Sequence, residues 1–187
     1  MTAATANLIA FPSAGPDAGG IVISASWGFG ASREFSFRYK ATGDIDRLCL
    51  PPRRTPRRLD GLWRHTCFEA FLAVGDAEYL EFNFSPSGEW AAYAFAGYRR
   101  PASEPALAAP RIECTVAPDA IVLTATIGEP GIFEDAGRRR AQMGLSAVIE
   151  TTDGALGYFA AHHPADRPDF HDRRGFVLNV DAAGATS

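Results

Sequence analysis

Two glutamates stand where a strand would bury apolar residues. In LWRHTCFEAFLAV (residues 62–74), Phe68, Ala70, Leu72 and Val74 form one alternate set. The other set is Cys67, Glu69, Phe71 and Ala73, in which Glu69 is the misfit. In EYLEFNF (residues 78–84), Leu80, Phe82 and Phe84 alternate with Tyr79, Glu81 and Asn83. A buried carboxylate costs several kcal/mol, roughly, unless it finds partners. It therefore points either to internal pairing or to a ligand. A hydrogen bond to a charged acceptor contributes about 1.5–3 kcal/mol, and Trp63 and Trp90 offer rigid aromatic faces nearby. Hydroxyls that seek carboxylates and amides, and C–H faces that stack on rings, belong together in a sugar. The competing reading is a non-catalytic structural or protein-interaction module, with Glu69 and Asn83 satisfying each other in a second packing layer.

Burial fixes how the two segments pair. With Gly75, Asp76 and Ala77 as the loop, Val74 faces Glu78, Leu72 faces Leu80, Ala70 faces Phe82 and Phe68 faces Phe84. A slip by one residue would bury Glu81 and Asn83 instead. The same register sets Glu69 opposite Asn83 and Phe71 opposite Glu81. Beyond the turn SPSG (residues 85–88), pairing Phe84 with Glu89 sets Asn83 opposite Trp90 and Leu80 opposite Tyr93. Trp90 then joins the polar face and Tyr93 the core. Trp63 shares the parity of Glu69 if the strand runs back that far. The expected ligand face carries Trp63, Glu69, Glu81, Asn83 and Trp90.

HHPADRPDFHD (residues 162–172) holds three histidines and three aspartates. Its prolines make it an extended loop, and its spacing matches no compact metal motif such as HExxH. The expectation is that Asp169 and His171 tie the loop down, with His171 also a candidate at the rim of the ligand site; no metal or other cofactor is expected. Glu69 and Glu81 are spaced as two glycosidase carboxylates can be, about 5–10 Å apart. They lie on adjacent strands of one sheet, however, with no cleft implied. GxSxG, Walker and dinucleotide glycine motifs are absent from the sequence. Binding without catalysis is the expectation.

These side chains must be positioned by strands. IVISASW, REFSFRYK, RIECTV and IVLTATI all alternate with period two. Pro118 and Asp119 mark one turn. Asp153-Gly154 is a two-residue hairpin signal. About ten or more strands imply an all-β antiparallel sandwich or barrel in one domain spanning 1–187. Residues 1–6 and 182–187 read as frayed tails, 49–61 as a long exposed loop, 99–110 as linker-like, and 131–142 as a candidate helical turn. The net charge of -4 disfavours general nucleic-acid binding. No apolar run approaches the roughly twenty residues that cross a membrane as a helix. Three cysteines without a CxxC pair disfavour a disulfide framework. With no secretory leader visible, the expected setting is cytoplasmic.

The residues Leu62-Trp63, TCFEAFL (66–72), YLEFNFSPSGEWAAY (79–93) and the late histidine stretch with Gly175-Phe176 resemble the uncharacterised bacterial branch of the DOMON-like domains. These are similar to the family-nine carbohydrate-binding modules, and the resemblance covers about residues 20 to 180. It implies an immunoglobulin-like β-sandwich that binds ligands, usually saccharides and sometimes haem. It also implies that Trp63 stacks on a sugar and Glu69 accepts its hydroxyls. A second stacking aromatic would be Trp90, Tyr158 or Phe159. A haem-binding relative would require axial ligation by Met143 and a histidine.

Overall fold

The computed structural model describes residues 3–12, 20–30, 34–128 and 140–181. It is all-β. Eleven antiparallel strands are present: β1 Ala4–Ala10, β2 Val22–Phe29, β3 Phe35–Thr42, β4 Cys67–Ala73, β5 Tyr79–Phe84, β6 Trp90–Phe95, β7 Arg111–Ala117, β8 Ala120–Ile127, β9 Arg140–Glu150, β10 Leu156–Ala160 and β11 Leu178–Asp181. They form one continuous sheet in the order β6-β5-β4-β9-β10-β1-β2-β3-β8-β7, with β11 added to β9. The long β9 pairs with β4, β10 and β11.

The sheet curls because β1 serves both halves. Ala4 to Leu8 pair with β2, whereas Ile9 and Ala10 pair with β10. Residues 4–6, read from sequence as part of a frayed tail, are therefore ladder residues. Small and polar side chains hide their role, because the ladder uses their backbone groups. The two halves turn their apolar sets towards each other. Phe37 of β3 lies 5.7 Å from Phe84 and 6.5 Å from Phe82 of β5, centroid to centroid. Tyr39 lies 5.0 Å from Phe68 and donates its hydroxyl to the Glu69 carbonyl at 2.7 Å. Period-two alternation then sends Glu69, Phe71, Glu81 and Asn83 to the opposite face of β4 and β5.

The β4–β5 register is as burial demands: Phe68 faces Phe84, Glu69 faces Asn83, Ala70 faces Phe82 and Phe71 faces Glu81. The β5–β6 register differs from the sequence expectation by one residue. Phe84 faces Trp90 and Glu81 faces Tyr93. The cause is the turn. Ser85 N–H donates to Glu89 carbonyl, leaving Pro86, Ser87 and Gly88 as a three-residue loop with Gly88 at φ 94°, a backbone region in which glycine is favoured. Trp90 is thereby on the core face, packed against the main cluster, and Tyr93 is on the other face. The Asp153-Gly154 hairpin follows the same pattern. Thr151 N–H donates to Ala155 carbonyl, so its loop holds three residues rather than two, with Gly154 at φ 85°.

The segment at 49–61 is more ordered than a free loop. Leu59 N–H donates to Trp90 carbonyl, Trp90 N–H to Arg57 carbonyl and Arg54 N–H to Ser87 carbonyl, so the segment covers the outer edge of β6. The linker-like segment begins the same way, with Ala102 N–H donating to Ala94 carbonyl. Residues 131–139 of the candidate helical turn and the tail at 182–187 lie outside the described residues; Arg140 to Gln142 belong to β9.

Candidate functional site

The face of β4 and β5 that turns away from the core opens into a cavity of about 550 Å³. Glu69, Phe71 and Glu81 lie at its floor, exposed by 2%, 1% and 5%. Trp63, Tyr93, Phe95, Tyr158 and Phe170 supply aromatic wall. Trp63 stands in a short 3-10 turn, Leu62–Arg64, just before β4. It is 48% exposed and carries the Arg64 guanidinium 5.2 Å from its ring. Such a half-open indole at a cavity mouth offers one rigid face to a ligand.

Each floor carboxylate is held by a neutral donor. Ser146 Oγ donates to Glu69 Oε2 at 3.2 Å, and Asn83 Nδ2 donates to Glu81 Oε1 at 2.6 Å. Asn83 is fully buried and in turn accepts from the Cys67 thiol at 3.6 Å. It supports Glu81 from beneath and does not line the cavity. Burial, and then the neighbouring Glu81 charge, push the Glu69 carboxyl well above the usual range, against the Ser146 hydrogen bond and the Arg99 charge. Burial pushes Glu81 up to about 7, opposed by the Asn83 hydrogen bond and by Arg99.

The late histidine loop closes one side. Tyr79 Oη and His171 Nδ1 share a hydrogen bond of 2.8 Å, and Tyr79 Oη also accepts from Arg99 N–H at 3.1 Å. His171 Nε2 stands 3.7 Å from Glu81 Oε2. Burial, helped by the Arg99 charge and opposed by Asp169, lowers His171 to about 4, so its imidazole is neutral at physiological pH. Asp169 is the anchor. It accepts from Tyr98 Oη at 2.6 Å, Arg99 Nη2 at 3.1 Å and His171 N–H at 3.2 Å. Arg99 has φ 49°, the one non-glycine residue with positive φ among the described residues. For a residue with a side chain this conformation is costly, and here it aims the Arg99 backbone N–H at Tyr79.

This anchor gives a prediction. Burial raises the Asp169 carboxyl, but the hydrogen bonds from Tyr98 and Arg99 prevail and hold it below its ordinary value. Its contribution is therefore present above about pH 4 and lost as pH falls through the lowered value. Arg99 is half-exposed, with side-chain exposure of 53%, which moderates the cost of removing its partner. Asp169→Ala is expected to lose about 1–3 kcal/mol at neutral pH. Urea unfolding would check this; an unchanged midpoint would mean that the loop is held by other contacts.

Five of the sequence-derived site residues are placed at or beneath the cavity: Trp63, Glu69, Glu81 and His171 line it, and Asn83 supports Glu81. Trp90 is not at the cavity, for the reason of register given above. Of the other two aromatics considered, Tyr158 lines the wall, and Phe159 is buried in the core. Tyr93, expected on the core face, lines the cavity, as do Phe95, Arg99 and Phe170, which the sequence does not single out as site residues. His163 is used structurally, its Nε2 2.8 Å from the Ile9 carbonyl oxygen. Met143, the sole candidate for haem ligation by methionine beyond Met1, is fully buried in the core. No group of three or more His, Cys, Asp or Glu side chains is arranged to hold a metal among the described residues. No helix among them is long and apolar enough to cross a membrane.

No protein-family model and no curated protein matches the chain. Among solved structures it is similar to the crystal structure of a "putative carbohydrate-binding protein" from Bacteroides uniformis, with a TM-score of 0.62 and 14% identity over 96% of this chain and 86% of that one. At that identity the likeness is one of fold.

Proposed function

We propose that the protein is a non-catalytic binding module for a saccharide or glycoconjugate, built on a two-layered β-sandwich of the DOMON-like kind. The observation that carries the reading is the cavity itself: two buried carboxylates at the floor of an aromatic-walled space of about 550 Å³. That is a volume suited to a small ligand. Glu69 and Glu81 meet hydroxyls, and Trp63 stacks on a ring face. The half-exposed Trp63 favours this over the packing-layer reading, in which the indole would be covered. The fold shared with the "putative carbohydrate-binding protein" supports the ligand class. The proposed setting is cytoplasmic and reducing, on the odd count of three cysteines with no CxxC pair. No nucleic-acid or membrane partner is proposed.

A thermal-shift screen against monosaccharides and disaccharides tests the proposal. A ligand at 100 times its Kd should add about 2.7 kcal/mol of stability. Trp63→Ala is expected to weaken binding about 10- to 100-fold, from the loss of stacking and buried area, while moving the unliganded melting temperature little, because the side chain is half-exposed. The absence of any shift across the panel would remove the saccharide reading. A large loss of stability in Trp63→Ala would restore the packing-layer alternative.

A further inference from the structure

The floor of the cavity holds two buried carboxyls with only neutral hydrogen-bond donors. Glu69 accepts from a serine hydroxyl and Glu81 from an asparagine amide. Among the described residues neither accepts a hydrogen bond from an arginine or lysine. Arg99 acts on both carboxyls through space and lowers them, but its hydrogen bond goes elsewhere: its Nη2 donates to Asp169, and its guanidinium lies 5.8 Å from the Tyr98 ring. His171 is 3.7 Å from Glu81 at its nearest and does not supply the charge. Each ionised carboxylate can accept about four contacts, of which Ser146 and Asn83 supply one apiece. A neutral hydroxyl would fill some of that capacity, but only a cation would also hold the carboxylates ionised against the burial that favours their protonated forms. An ammonium offers three donors and the charge together. The walls suit it as well, because aromatic faces attract a cation.

We propose that the cavity selects an amino sugar, whose protonated amine sits between Glu69 and Glu81 while its ring lies against Trp63. This inference rests on the saccharide reading above and narrows it. Beyond the floor the charged lining is Arg64, Arg99 and the Asp60 carboxylate, two positive groups against one negative. That balance disfavours a second cationic group, so the ligand carries a single amine on an otherwise neutral body.

Isothermal titration of the full chain at about pH 7, where an amine of ordinary basicity is largely protonated, separates the alternatives. The probes are glucosamine, galactosamine and mannosamine against glucose, galactose and mannose, with N-acetylglucosamine and cyclohexylamine as controls. The expected result is that at least one amino sugar binds ten-fold or more tightly than both its neutral parent and its acetylated form. Glu69→Gln and Glu81→Gln, checked for folding by thermal melts, should reduce that preference to less than three-fold. Equal or tighter binding of the neutral sugars overturns the inference and leaves the saccharide reading standing. Binding of cyclohexylamine but no sugar retains the ammonium seat and removes the saccharide reading, and with it the amino-sugar assignment. Binding of none of the probes overturns the amino-sugar proposal for these hexosamines.

Discussion

Glu81→Gln is expected to make the unliganded protein more stable, and more so as pH rises. Glu81 is 5% exposed, and burial pushes its carboxyl from an ordinary 4.5 up to about 7. A raised value means that the folded state binds the proton more tightly than the unfolded chain does. Below about pH 4 both states are protonated and the group costs nothing. Between about pH 4 and 7 the unfolded chain ionises first, and folding loses stability progressively. Above about pH 7 the loss is complete. A shift of 2.5 units, from 4.5 to about 7, corresponds to about 3 kcal/mol. Glutamine keeps the oxygen that accepts from Asn83 and removes the charge. The variant should therefore match the wild type near pH 4 and exceed it by up to about 3 kcal/mol near pH 8, of the order of 5–10 °C in melting temperature. Asp153, Asp169 and Asp172 are held below their ordinary values and push the wild-type profile in the opposite direction. The difference between the two proteins, melt by melt across pH, reports Glu81 together with the relief of Glu69, whose carboxyl the Glu81 charge pushes up. A flat difference would mean that the carboxylate is effectively solvated. A variant less stable than the wild type at pH 8 would mean that a charge partner reaches it. A stabilising loss of a binding group is what a site that stores cost for a ligand should show.

The legible part of this site was the part that burial enforces. Six apolar side chains of β4 and β5 fix one register, so the partnership of Glu69, Glu81 and Asn83 follows from sequence alone. The next strand carries less phase information, because WAAYAF (residues 90–95) alternates large and small residues in no single period. Its register depends on a three-residue loop. Ser85, Ser87 and Glu89 stabilise that loop by buried contacts, Ser87 Oγ donating to Glu89 Oε2 at 3.1 Å and lying 2.9 Å from Ser85 Oγ. Polar residues in a turn give no hint that they will be buried, and a miscount of one exchanged Trp90 for Tyr93. Arg99, Phe170 and Tyr158 reach the cavity from loops and strands remote in sequence. They depend on strand order, with β9 set between β4 and β10, and no local pattern specifies that order. The curl through β1 was hidden for a related reason. A strand of alanine, threonine and asparagine is recognised by its partners, not by its own side chains.

Phe37→Ala should be among the most damaging single changes in the chain, and it should leave the chemistry of the cavity alone. Phe37 is fully buried in the first half of β3. Its ring lies 5.0 Å from Phe35 on its own strand and 5.7 Å from Phe84 across the core. No backbone ladder links β3 to β5, because the path between them along the sheet runs through β4, β9, β10, β1 and β2. The two halves are held face to face at this point by side-chain packing, with the Tyr39 hydroxyl to the Glu69 carbonyl as a neighbouring polar tie. Truncating a buried phenylalanine costs about 3–5 kcal/mol, the transfer term plus that of the cavity left behind. That is a large share of the roughly 5–15 kcal/mol available to a typical domain. Val116→Ala, at a position 55% exposed, should stay within about 0.5 kcal/mol and serves as the control. Alternation along β4 and β5 puts the Phe37 contact on one face and Glu69, Phe71 and Glu81 on the other. Binding by the folded fraction of Phe37→Ala should therefore remain within about three-fold of wild type, since an indirect shift of the floor is worth less than about 0.7 kcal/mol. Urea unfolding and titration of the same sample measure both quantities. A loss under about 1 kcal/mol would contradict the packing of the two halves. A full loss of binding in a protein that still folds would show that the floor of the site is positioned by the core packed beneath it.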